Sequence, residues 1–161
     1  TELTDNGLEI KKKTDGTPVL KKRICGNRFE GTNIYKRGEY YYLFASIGTC
    51  CNGATSTYQT VVGRSKNVLG PYLDKTGRDM LYDYCEIIMS GNETWAGPGH
   101  NSILIQDDVG TDWIIYHGYK KKEAENGRYV LMDKLIWSND GWPSVKSNAP
   151  SILEVARYFQ K

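Results

Sequence analysis

Residues 31–44 read GTNIYKRGEYYYLF, and residues 99–116 read GHNSILIQDDVGTDWIIY. Both stretches open Gly-x-Asn, run into a short strand-like segment, turn near a glycine and return through an aromatic-rich strand. The opening glycines, Gly31 and Gly99, stand 68 positions apart. A unit of several strands recurring at such a period is what radially repeated β-architectures show. In a propeller each unit is a blade whose first strand lines the axis, so its opening residues face an axial pocket. The alternative is two similar hairpins in a sandwich.

Strand signals surround this repeat. Glu39–Ser46 (EYYYLFAS), Gln59–Ser65 (QTVVGRS), Asn101–Ile105 (NSILI), Asp112–Tyr119 (DWIIYHGY) and Arg128–Trp137 (RYVLMDKLIW) are rich in aromatic and branched residues. In the last, Tyr129, Leu131, Asp133, Leu135 and Trp137 share one face, and Val130, Met132, Lys134 and Ile136 the other. That strand is apolar on much of both sides. Arg37-Gly38, Asn52-Gly53, Gly70-Pro71, Asn126-Gly127 and Asp140-Gly141 supply the turns. The reading is an all-β chain.

At about 68 residues per unit, 161 residues hold two to three blades. Propellers use roughly four to eight. The expectation is that residues 1–161 form the C-terminal portion of one propeller domain, its N-terminal blades supplied from elsewhere. An open ring exposes strand edges that invite pairing.

Composition excludes several classes. Charged residues make up 25% and apolar residues 39%, a globular balance. Lys and Arg number 21 against 19 Asp and Glu, and the densest basic runs, Lys11–Lys13 and Lys120–Lys122, are short. No nucleic-acid partner is expected. No apolar run approaches the length that spans a bilayer, so no membrane partner is expected either. Twelve Tyr and four Trp suit strands and surfaces that stack on sugar rings. The four cysteines, Cys25, Cys50, Cys51 and Cys85, form no C-x-x-C pair. They read as reduced, mostly buried thiols in preference to a bond between the neighbours Cys50 and Cys51.

Four residues stand out as chemistry-bearing. Glu30 directly precedes the first repeat, at the mouth of the axial pocket, and Phe29 beside it is placed to desolvate the carboxylate and raise its pKa. His100 takes the matching place in the second unit, flanked by Gly97 and Gly99, while His117 lies within a strand. Arg64 and Arg128 are guanidinium candidates for binding sugar hydroxyls near the carboxylate. The loop CCNGATSTY, residues 50–58, is a candidate cleft wall with Tyr58 as a stacking platform.

These segments together carry a resemblance. The run from RFEGTN through CCNGATSTY, VVGRSKNVLGPY, GPGHNSIL, DWIIYHGY and LMDKLIWSNDGWP resembles the C-terminal half of glycoside hydrolase family 43, nearest its arabinanase-like members. The resemblance implies a five-bladed β-propeller that hydrolyses arabinose- or xylose-containing polysaccharide with inversion, of which this chain supplies the last two to three blades. It implies an Asp general base, a Glu general acid and a second Asp that tunes the acid. Glu30 matches the general acid, and His100 the axial histidine that helps hold a central ion, often calcium with waters. Arg128 matches an arginine that reaches the pocket; Phe29, Thr32, Asn33 and Tyr58 join it as substrate-binding candidates.

Two departures accompany the match. Both aspartates fall before this chain, since Asp5 (TDNG) and Asp15 (TDGT) sit in turns. The acid lies in Phe-Glu-Gly-Thr, where many arabinanases have Glu-Ala-Pro. The implied activity is that of an arabinan endo-1,5-α-L-arabinosidase. A β-xylosidase or α-L-arabinofuranosidase, a non-catalytic carbohydrate-binding module and a truncated propeller fragment remain alternatives. The implied partners are arabinan or xylan oligosaccharides and the missing blades, carried on another chain or fragment. The implied location is secreted or periplasmic.

Overall fold

The computed structural model describes residues 1–156, Tyr158 and Phe159. Residues 1–29 form turns joined by the isolated bridges Leu3↔Ile10 and Lys12↔Pro18, and most of them are exposed. Beyond them the chain is built of antiparallel strands and short 3-10 turns. Among the described residues no helix is long and apolar enough to cross a membrane.

The first sheet has the order β1 (Glu30–Arg37), β2 (Tyr40–Ile47), β3 (Gln59–Ser65), β4 (Glu86–Met89), every pair antiparallel. β1 and β2 close through a two-residue turn between Arg37 and Tyr40, with Gly38 at φ 56°. A positive φ at the first turn position suits the right-handed twist of the paired strands. The second sheet centres on β7 (Asp112–Lys120). β8 (Arg128–Lys134) runs along one edge of β7. β5 (Trp95–Gly99) and β6 (Ile105–Gln106) follow one another along the other. A two-stranded hairpin of β9 (Ile136–Trp137) and β10 (Pro143–Ser144) completes the pairing.

Two apolar clusters flank the first sheet. Alternation on β2 sends Tyr42 and Phe44 to one side and Leu43, Ala45 and Ile47 to the other. The first side, with Val62 and Met89, packs on Ile114, Tyr116, Leu135 and Trp142 of the second sheet and its hairpin. The other is covered by Phe29, Tyr72 and Met80. A polar clip joins the sheets: buried Asp112 accepts from the Tyr35 hydroxyl at 2.7 Å and the Trp137 indole at 2.7 Å, with Arg37 at 3.5 Å.

Several expectations are corrected. Residues 101–105 do not form a full strand: only Ile105 enters a ladder, because His100 takes φ 51° and breaks the extended path after Gly99. The 128–137 strand breaks at Leu135, which turns into the core with 3% exposure. Cys50 and Cys51 are bonded to each other, with Cα atoms 3.8 Å apart, so the reduced reading fails for this pair. Cys25 and Cys85 are free and half-buried, and burial pushes the Cys85 thiol up to about 11.

Candidate functional site

Glu30 is the first residue of β1, exposed, and paired with Ser46 of β2. A bulge between Glu30 and Asn33 reshapes the strand start, and Gly31 within it takes φ 57°. A Cβ on Gly31 would stand 3.1 Å from His100 Cγ, so only glycine lets the two inner strands come this close. Gly99 repeats the device: a Cβ there would lie 2.2 Å from Tyr58 Cδ2. The shared Gly-x-Asn opening therefore records two places where backbone lies directly on a ring.

His100 reaches the site by contact and not by equivalence. At the 68-residue offset the counterpart of Glu30 is Pro98, and His100 corresponds to Thr32. The His100 N–H donates to the buried Ser46 hydroxyl at 2.7 Å, which ties it to the residue opposite Glu30. Behind it stands His117 of β7, paired with Gly99 and stacked with two rings. His100 stacks with it at 6.1 Å, and Tyr58 at 5.9 Å with an interplanar angle of 11°. Arg128, exposed at the start of β8, brings Nη1 to 3.5 Å from His117 Nε2.

The electrostatics follow from this stack. Burial pushes His117 below its ordinary value, and the Arg128 guanidinium and His100 push the same way against the pull of Glu30. Its imidazole is therefore mostly neutral at pH 7. Burial raises the Tyr58 hydroxyl, and the nearby Glu30 carboxylate raises it further. Among the described residues His117 Nδ1 is buried without a hydrogen-bond partner, and the buried Tyr58 hydroxyl faces Glu30 and Ser46 without a hydrogen bond of normal geometry. The site combines an exposed carboxylate, an exposed guanidinium and a floor of stacked rings.

One wall is the loop after β2. The Cys50–Cys51 bond sits in it, the Thr49 and Thr57 hydroxyls meet at 2.9 Å across its neck, and the Asn52 N–H donates to Ser56 Oγ at 2.9 Å. Gly53 in this loop faces Ala124 of the turn between β7 and β8, so the wall spans both sheets.

The expected residues divide by position. Glu30, His100 and Arg128 converge. Tyr58 belongs to the site but is 1% exposed, so it braces the floor and offers no face to a sugar, contrary to the stacking-platform expectation. Phe29 is packed with the Leu43 and Tyr72 cluster, and its ring serves the core, so neither substrate contact nor desolvation of Glu30 is its part. Thr32 is exposed on β1. Asn33 donates to the carbonyls of Asn101 and Ser102, a link between sheets. Arg64 is outside the site, at the far end of β3. There it lies 4.4 Å over each of Tyr40 and Trp142 and lines a separate cavity of about 440 Å³. His117 and Ser46 were not singled out from sequence. A histidine facing a glycine across a ladder was a legible signal for the first, and an ordinary strand serine offered none for the second.

Calcium takes about six to eight oxygen ligands. Among the described residues no group of three or more His, Cys, Asp or Glu side chains is placed to hold a metal. His100 is one imidazole beside the axis, and this donor set does not make a calcium cage.

The paired sheets bring a carboxylate, two histidines and an arginine together. The profile of glycosyl hydrolases family 43 matches residues 1–143, and the chain belongs to that family. An extracellular exo-α-(1→5)-L-arabinofuranosidase of Cellvibrio japonicus is 45% identical over 118 residues, which span 73% of this chain and 33% of the relative. An extracellular endo-α-(1→5)-L-arabinanase of Bacillus subtilis is 41% identical over 120 residues, 74% of this chain and 35% of the relative. The solved Cellvibrio cellulosa α-L-arabinanase complexed with arabinohexaose superposes with a TM-score of 0.70 at 39% identity, over 86% of this chain and 42% of that one. An exo-1,5-α-L-arabinanase from a bovine ruminal metagenomic library gives 0.73 at 35% identity, over 85% and 48%. The chain thus spans about a third of the length of these curated relatives.

Proposed function

We propose that this chain is the C-terminal part of a secreted family 43 hydrolase that cleaves α-1,5-linked arabinan, and that it carries the general acid. The observation that carries this reading is Glu30. Its exposed carboxylate opens β1 against His100, with the stacked rings and Arg128 alongside, in a chain whose relatives are named for arabinan cleavage. The two sheets are read as blades of a five-bladed propeller, with the remaining blades outside residues 1–161. Extracellular relatives support secretion.

Glu30 donates its proton to the glycosidic oxygen as that bond breaks. A carboxylate from outside this chain takes a proton from the attacking water on the opposite face of the sugar ring. Inversion needs the two carboxyls about 6.5–9.5 Å apart, room for that water. Arg128 binds sugar hydroxyls, and the Tyr58–His117 stack excludes water from beneath.

In the full-length protein, Glu30→Gln abolishes hydrolysis of arabinan oligosaccharides, whose leaving groups need protonation. It spares aryl arabinosides with activated leaving groups, which depart unprotonated. Equal losses on both substrates remove Glu30 from the acid's role. Residues 1–161 alone are expected to show negligible turnover, because deleting one member of a cooperating set already costs orders of magnitude. Exo attack is favoured as a second reading by the exo-acting Cellvibrio japonicus relative. Product size on linear arabinan separates it from endo attack, and release of xylose from xylan would assign the xylosidase alternative.

A further inference from the structure

Cationic side chains gather at the end of the first sheet away from Glu30. Arg64 pairs with Tyr42 across the β2–β3 ladder, while Glu30 pairs with Ser46, four residues further along β2. That spacing is about 13 Å at the rise of a strand. Arg64 lines its cavity of about 440 Å³ together with Lys66, Lys75 and the rings of Tyr40 and Trp142. A second cavity, of about 140 Å³, is lined by Lys22 and Arg23. Pro71 belongs to both linings, so the two cavities adjoin in one track.

The track holds five cations against two carboxylates, Asp74 and Asp79. Both carboxylates are already engaged. The buried Asp74 accepts from the Thr76 and Arg78 N–H groups and from the Arg78 guanidinium at 2.8 Å. Asp79 accepts the Leu81 N–H at 2.9 Å. Beyond the linings, Glu39 meets Lys66 at 3.2 Å, an exposed pair that water screens, and Asp140 stands near Lys75. Lys22, Lys66 and Lys75 are exposed. The two guanidiniums are held in place. Arg64 Nη1 donates to the Asp140 carbonyl at 2.6 Å, and its guanidinium lies over two rings. Arg23 donates to the Cys25 carbonyl and to Asn27 Oδ1. A guanidinium has more N–H donors than these contacts use, and holding it beforehand removes part of the cost of binding. The segment leading into the track adds to its field: residues 11–28 hold seven Lys and Arg against one Asp, in a chain of net charge +2.

We infer that this track binds an acidic sugar chain, whose carboxylates meet Arg23, Arg64 and the three lysines. The excess of cations calls for an anion, and the planar guanidinium fork matches a carboxylate. The larger cavity lies within the range of about 300–1,000 Å³ that small ligands occupy. The choice of a sugar chain over another anion rests on the polysaccharide-cleaving reading above. The track is separate from Glu30, so a polymer held there leaves the carboxylate free.

The test is titration calorimetry of the full-length protein with oligogalacturonate, beside its hydrolysis of short arabinan oligosaccharides. Oligogalacturonate is expected to bind, and to bind more weakly as salt is raised. Lys22→Glu/Lys75→Glu is expected to weaken binding at least about tenfold, while the thermal midpoint and hydrolysis stay as they were. Excess neutral arabino-oligosaccharide should not displace the acidic probe. No binding, or binding that the double variant keeps in full, overturns the inference. Displacement by the neutral sugar assigns the probe to the Glu30 site and overturns it too. Tighter binding of duplex DNA or phosphatidylglycerol vesicles through the same lysines assigns the track to phosphate and overturns the sugar chain. Arabinan hydrolysis without oligogalacturonate binding sinks this inference alone. Lysine-dependent binding in a protein that does not cleave arabinan keeps the track and sinks the functional reading.

Discussion

The Tyr35 hydroxyl donates to the Asp112 carboxylate at 2.7 Å, joining the inner strand of one sheet to the central strand of the other. The same carboxylate accepts the Trp137 indole N–H, and Arg37 lies over the Trp137 ring at 4.6 Å. Asp112→Ala leaves three donors, the Tyr35 hydroxyl, the Trp137 indole and the Gln106 amide, without their acceptor where the sheets meet. The expected loss is about 2–4 kcal/mol of unfolding free energy, most of it the cost of unpaired buried groups. Denaturant midpoints of the variant and of Asp112→Asn measure it, and the amide should recover part.

Gly31→Ala places a methyl group 3.1–3.2 Å from three His100 atoms at a φ of 57°. The left-handed backbone costs a non-glycine residue about 1–2 kcal/mol before any collision. Glu30 and His100 must then move apart. A full-length Gly31→Ala protein is expected to lose hydrolysis well beyond its loss of stability, read by comparing kcat with the thermal midpoint.

Tyr58→Phe removes a buried hydroxyl that faces Glu30 and Ser46 but, among the described residues, makes no hydrogen bond of normal geometry. Stability is expected to change by less than about 1 kcal/mol, since at most a weak bond is lost while a desolvated polar group disappears. Tyr58→Ala, which also removes the ring stacked on His117, should lose about 3–5 kcal/mol. Calorimetry of the two variants separates the ring from its hydroxyl.

Asp107 gives the fold an acid limit. Burial pushes its carboxyl up, but the Thr111 N–H, the Trp113 indole and the Val109 N–H outweigh this and hold it below the ordinary value. Asp74 is lowered in the same way by Arg78 and Thr76. A depressed folded-state value contributes stability that is present above the unfolded value of about 3.9 and is lost as pH falls through the folded one. Urea midpoints should therefore decline below about pH 4. Asp107→Asn should flatten that decline while lowering the plateau.

Much of the fold was legible because β2, β3 and β7 are dense in aromatic and β-branched residues bounded by glycine turns. β5 was hidden because Trp95–Gly99 contains two glycines and a proline, poor strand residues made tolerable by Tyr58 and Ser56 packing against them. NSILI misled in the opposite direction: its apolar pattern is real, but the left-handed His100 before it prevents a regular ladder. Glu30, His100 and Arg128, singled out from motifs, lie close together. The burial of Tyr58 was not legible, since a tyrosine in a polar loop looks exposed until Gly99 of the other sheet is laid on its ring. The Cys50–Cys51 bond was equally opaque, because adjacency in sequence does not reveal the local backbone that lets neighbouring sulfurs meet.

Glu30 rides on one sheet, and His117 and Arg128 ride on the other. Their separation is fixed by the seam where Phe44 and Val62 press on Ile114 and Tyr116. Interiors this close-packed transmit a change of even one methylene as a shift of what they support. Under the function proposed above, the seam is therefore a second place to alter the site: a resized side chain there tilts one wall against the other while the residues that line the site stay the same.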